Sequence, residues 1–119
     1  DCSPQDILRC FYGLSSTDLN AFTSLLKLRD KGWVPVEEYA ENLQLSPSNA
    51  QRLLRKLIHL GLAKRQKTKG SENRRPYRYE YRAISIPKII SNLKKVREDM
   101  NNKLGKFLED PVLWEKSFF

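Results

Sequence analysis

VEEYAENLQLSPSNAQRLLRKL, residues 36–57, reads as two short helices joined by a tight turn. Glu37 and Glu38 fall in a first helical turn, where negative charge complements the helix dipole, and that helix runs to about Leu43. Gln44 and Leu45 make the turn, with Gln44 standing where glycine is common. Ser46 followed by Pro47 is an N-cap with proline at the first helical position, so a second helix opens there and runs to about Leu60. Ala40 is the small residue needed where the second helix crosses the first. Leu45 is the apolar plug of the turn, and Ala50, Leu53 and Leu54 form the inward face. The outward positions are then Ser46, Ser48, Asn49, Gln51, Arg52, Arg55 and Lys56. These donors and acceptors suit base edges and phosphates in a DNA major groove. A helical hairpin with a solvated polar face shows the same pattern, so the flanking sequence has to decide.

Downstream, Gly61 terminates the helix, residues 62–67 read as a strand, and the polar stretch 68–73 with Gly70 reads as a loop. Residues 74–83 form a second strand, in which Tyr77, Tyr79 and Tyr81 alternate with Arg78, Glu80 and Arg82, the period of a half-buried strand. The tyrosines could stack on bases, but strict alternation favours packing of all three against the helices. Helix, helix, strand, basic loop and strand is the order of a winged helix. Lys64, Arg65, Lys67, Lys69, Arg74, Arg75 and Arg78 load the wing with positive charge, where an ordinary hairpin tip would mix signs.

Upstream, Ser3-Pro4 starts a short helix carrying Ile7, Leu8, Phe11 and Tyr12, and Gly13 ends it. Ser16 or Thr17 caps the next helix, with Asp18 in its first turn and Leu19, Phe22, Leu25, Leu26 and Leu28 along one face. Residues 33–36 are long enough only for an edge strand, a place that tolerates Pro35. At the other end, Pro87 opens a long helix to about Leu108. Ile89, Leu93, Val96, Met100, Leu104 and Phe107 make a heptad-like seam on it. The tail that follows carries Trp114, Phe118 and Phe119 without a recognisable element.

Charge is segregated along the 119 residues. The net charge is +8, yet residues 1–50 sum to −3, residues 51–82 to +9 and residues 83–119 to +2. A concentrated basic block points to phosphate contact. Hydrophobic residues at 39% are enough for a modest core. No apolar run approaches the ~20 residues of a membrane span, and no signal-peptide pattern opens the chain, which begins at Asp1 rather than Met. One histidine, His59, and two cysteines, Cys2 and Cys10, are poor material for a catalytic triad or a metal centre. His59 reads as a surface residue near a helix C-terminus and the cysteines as thiols. Neither catalytic residues, a metal nor a cofactor is expected.

From Asp6 to about Leu108 the chain resembles archaeal-type winged-helix transcriptional regulators of the MarR/TrmB-like group. The resemblance is carried by YGLSSTDLNAFTSLL (12–26), VPVEEYAENLQLSPSNAQRLLRKLIHLGLAKR (34–65) and YRYEYRAI (77–84), followed by the long terminal helix. The expected fold is mainly α with a small β-hairpin (α+β). A winged helix-turn-helix domain over residues 1–86 is followed by a dimerisation helix and apolar tail over 87–119. The resemblance implies a homodimer that binds operator-like double-stranded DNA. In that reading Ser48, Asn49, Gln51 and Arg52 meet bases, while Arg55, Lys56, Lys67, Lys69, Arg74, Arg75 and Arg78 meet backbone or minor groove. Such a protein works in the cytoplasm on the nucleoid, away from membranes, and a small-molecule effector is allowed but not indicated. Two other readings stay open: a winged-helix module that binds an acidic protein in a transcription or chromatin assembly, and a non-specific architectural DNA binder.

Overall fold

The computed structural model describes residues 2–69 and 77–119, with Lys69 and Tyr77 by backbone alone. Arg74 and Arg75 lie outside the described residues, as does the side chain of Lys69. Two compact units divide the chain at residues 84 and 85.

The first unit begins with helix α1 (Pro4–Tyr12), closed by Gly13 in the left-handed region. Ser3 and Asp6 form a capping box at its start, each satisfying a backbone N–H of the other's turn. Helix α2 (Ser16–Lys27) repeats the device one residue earlier than expected: Ser15 is the N-cap, and its partner is Asp18. A 3-10 turn (Leu28–Lys31) leads to β1 (Val34–Pro35), then to α3 (Val36–Leu43) and α4 (Pro47–His59). Ser46 caps α4 by accepting from the Asn49 N–H, and Pro47 occupies its first turn. Strands β2 (Ala63–Lys69) and β3 (Tyr77–Ala83) complete an antiparallel sheet of order β1-β3-β2, so β1 with Pro35 is an edge strand.

Helix α3 packs against α4, and each contributes a buried alanine, Ala40 and Ala50. The turn between them is held by the backbone. Gln44 adopts φ 58, ψ 41, the left-handed conformation that usually favours glycine, and the Leu45 N–H donates to the Ala40 carbonyl at 3.0 Å. Leu45 itself is 38% exposed, so the turn is closed by hydrogen bonds and not by the apolar plug expected at that position. Phe22, Leu25, Val34, Tyr39, Leu54, Leu57, Leu62 and Tyr81 form the core of this unit, each nearly free of solvent contact. The buried Tyr39 hydroxyl donates to the Ala21 carbonyl, tying α3 to α2, and burial pushes its pKa well up.

The three tyrosines of β3 do not share one fate. Tyr81 is buried, whereas Tyr79, two residues nearer the tip, is 38% exposed. Alternation places Tyr79 on the same face as Tyr81, but its ring meets the cations of Arg65 and Lys67 and stays partly open to solvent.

The second unit is α5 (Ile86–Leu108), capped by Ser85, and α6 (Pro111–Phe118), capped by Asp110. Helix α6 was not expected as an element. It is bound to α5 through Trp114, whose indole N–H donates to the Phe107 carbonyl at 2.7 Å while the two rings meet edge to face at 6.3 Å. Of the α5 seam, Ile89 is buried and Leu93 half-buried, but Val96, Met100, Leu104 and Phe107 are exposed. So are Val112, Leu113, Trp114 and Phe118 of α6.

Candidate nucleic-acid interface

Helix α4 sorts its polar side chains in two. Ser48, Asn49, Arg52 and Arg55 are exposed and make no side-chain hydrogen bond or ion pair with the described residues. Ser48, Arg52 and Arg55 follow one another at spacings of four and three, so they form one stripe along the helix. Ser46 is exposed too, although its hydroxyl oxygen is already used as the helix cap.

Gln51 and Lys56 bond to other parts of the protein. The Gln51 amide meets the Tyr81 hydroxyl, donating from Nε2 at 2.9 Å and accepting at Oε1 at 3.3 Å. The Lys56 ammonium donates to the Asp18 carboxylate on α2. Both residues were expected on the DNA-facing side; Gln51 is half-buried, while Lys56 stays exposed as it reaches Asp18. The phenol and the carboxylate are groups that cannot be left unpaired in a core, and these two side chains supply their partners.

Asp18 is the one buried charged residue among those described. Burial by itself would raise its pKa, but Lys56 together with the Ser15 N–H and hydroxyl outweighs this and holds it below 3.8. A carboxyl with a depressed folded pKa contributes stability above its unfolded value, and that contribution is lost as pH falls through the folded value. Asp18→Asn should therefore be less stable than wild type at pH 7 by about 1–2 kcal/mol, having lost a charge-assisted bond and part of a cap. In urea titrations followed by circular dichroism, the gap should narrow as pH falls below about 4. An equal gap at every pH would contradict this role.

The hairpin carries the rest of the surface. In its register Arg65 stands opposite Tyr81 and Lys67 opposite Tyr79, so these four share one face. Tyr81 bonds to Gln51, so this is the face on which α4 lies. Further out, the Arg65 guanidinium sits 4.4 Å from the Tyr79 ring centroid and the Lys67 ammonium 6.0 Å from it. Arg78, opposite Thr68, belongs to the other face with Lys64, although both are exposed. At the base of that other face, Arg82 donates to the Arg29 carbonyl and Arg29 to the Ala83 carbonyl, fastening β3 to the 3-10 turn. The Arg65–Tyr79 stack was missed because it depends on hairpin register, which the loop does not reveal.

Two helices at a tight turn, the second with a cationic outer stripe, followed by a basic hairpin, define a winged helix-turn-helix protein. The family model described as sugar-specific transcriptional regulator TrmB matches residues 8–86, and the chain belongs to that family of transcriptional regulators. It is 26% identical over 104 residues to the protein MJ1082 of Methanocaldococcus jannaschii, covering 87% of this chain and 82% of that one. Among solved structures it is similar to the ST1889 protein of Sulfolobus tokodaii, with 28% identity, TM-score 0.56, and coverage of 87% and 89%. A possible transcriptional regulator from Methanosarcina mazei shares the fold at TM-score 0.69 and 23% identity, covering 90% of this chain and 87% of its own. Among the described residues, no helix is long and apolar enough to cross a membrane.

Proposed function

We propose that the protein regulates transcription as a homodimer that binds specific double-stranded DNA sequences. The observation that carries this reading is that α4, which bears an exposed cationic stripe, packs on the sheet face that carries Arg65, Lys67 and Tyr79 farther out along the hairpin. Helix α4 enters the major groove. Ser48, Asn49 and Arg52 meet base edges there, with Arg able to pair bidentately with guanine, and Arg55 meets the backbone. Arg65 and Lys67 reach phosphates or the minor groove, and the Tyr79 ring keeps the Arg65 guanidinium extended in place. Lys69 at the end of β2, with Arg74 and Arg75 farther along the sequence, adds to this charge, and Arg78 adds it on the outer face.

The second copy is called for by the apolar surface of the second unit. Val96, Met100, Leu104, Phe107 and the α6 side chains together leave more apolar surface than scattered exposed residues account for. A two-fold pair of the long helix presents two α4 helices to successive major grooves, roughly 34 Å apart on one face of the duplex.

Selection from random-sequence duplexes, followed by gel shift of the selected fragment against a shuffled one, tests the reading. A discrimination of at least ~10³-fold is expected. Equal binding to both fragments would favour the architectural role, and absence of binding at moderate salt would favour an acidic protein as the partner.

A further inference from the structure

The grip on α4 has a consequence for sequence reading, and it rests on the reading of α4 as the DNA-contacting helix. Tyr81 lies in the middle strand, its backbone registered against Val34 of β1 and Arg65 of β2. A phenylalanine would fill the same volume. The hydroxyl has to find a partner in the core, and it takes one from α4 itself, the Gln51 amide at 2.9 Å. Tyr39, also buried, gives its hydroxyl to a backbone carbonyl instead.

A second point holds the same helix. Lys56, five residues beyond Gln51, bonds to Asp18 on α2, and at 3.6 residues per turn the two positions stand about 140° apart around the axis. The apolar contacts of Leu54 and Leu57 hold α4 against the core but tolerate a small rotation. Two directional hydrogen bonds at separate azimuths oppose it, the one from half-buried Gln51 more than the one from the long, exposed Lys56. The stakes are geometric: at the outer radius of a helix, a rotation of about 20° moves a side-chain tip by about 2 Å. That is enough to break a bidentate base contact while leaving a phosphate contact almost unchanged.

We propose that Tyr81 is a positioning residue for sequence discrimination. It does not touch DNA. Through Gln51 it sets the rotation of α4, and so decides which base edges Ser48, Asn49 and Arg52 meet.

The test uses the full chain, a duplex selected by the wild-type protein, and a shuffled duplex of equal length. Tyr81→Phe should keep its affinity for the shuffled duplex and its salt dependence, while its selected-to-shuffled ratio falls about five- to tenfold. Gln51→Met, at a half-buried surface position, should also lower the ratio, and Tyr81→Phe added to it should cost nothing more. Equal loss on both duplexes, no loss on either, or additive losses in the double variant would overturn the positioning role. A wild-type protein with no preference for its selected duplex would refute the underlying reading of α4, a result separate from any comparison of variants.

Discussion

Aspartate at both Met100 and Leu104 is expected to split the dimer and to weaken binding to the selected duplex by about 10²-fold or more. Both side chains stand on the outer seam of α5, 58% and 41% exposed in the single chain, so neither change removes a contact on which the fold depends. In a paired molecule each aspartate would be driven into an apolar interface, at a large desolvation cost. One protomer then meets one half-site. The loss follows from effective concentration, because the second half-site is no longer bound by a tethered partner, a difference of 10²–10⁴ for well-matched spacing. Light scattering at micromolar concentration should report a monomer and circular dichroism an unchanged helical content. A variant that stays dimeric would remove this face from the interface. A monomer of undiminished affinity would remove the dimer from the mechanism.

Arg52→Ala carries the second large effect, and its signature is selectivity. A bidentate arginine–guanine pair discriminates by about 1–3 kcal/mol, so affinity for the selected duplex should fall about 10- to 100-fold while the shuffled duplex is bound nearly as before. Repeating the selection with the variant should give a site relaxed at one position. Arg65→Ala, by contrast, should weaken both duplexes alike, since the wing meets backbone whatever the sequence. Should Arg52→Ala also weaken both alike, the α4 stripe would be an electrostatic surface and not a reader of bases.

Helices α1 to α5 and their order were legible because their start signals are local. Ser3-Pro4 and Ser46-Pro47 mark helix starts without reference to anything distant, and Gly13 and Gly61 mark ends. The edge strand was legible from its length and from Pro35. What the sequence concealed depends on partners far along the chain. Gln51 and Lys56 are polar residues on a polar face by every local criterion, and only Tyr81, thirty residues on, and Asp18, thirty-eight residues back, reveal the bonds they make within the protein. Tyr79 was assigned to the core because alternation tells which face a residue occupies but not what it meets there. Helix α6 was missed although Asp110 and Pro111 give the same kind of local start signal as Ser46 and Pro47, and its anchor is a bond from Trp114 to Phe107.

Salt dependence of binding tests the central claim most directly, because one cationic surface presented twice has to displace counterions. If each protomer neutralises about four phosphates, log K for the selected duplex should fall with log salt at a slope of about −7. Met100→Asp with Leu104→Asp should halve that slope, and Arg65→Ala should reduce it by nearly one per protomer. A slope near zero for the wild-type protein would contradict the account.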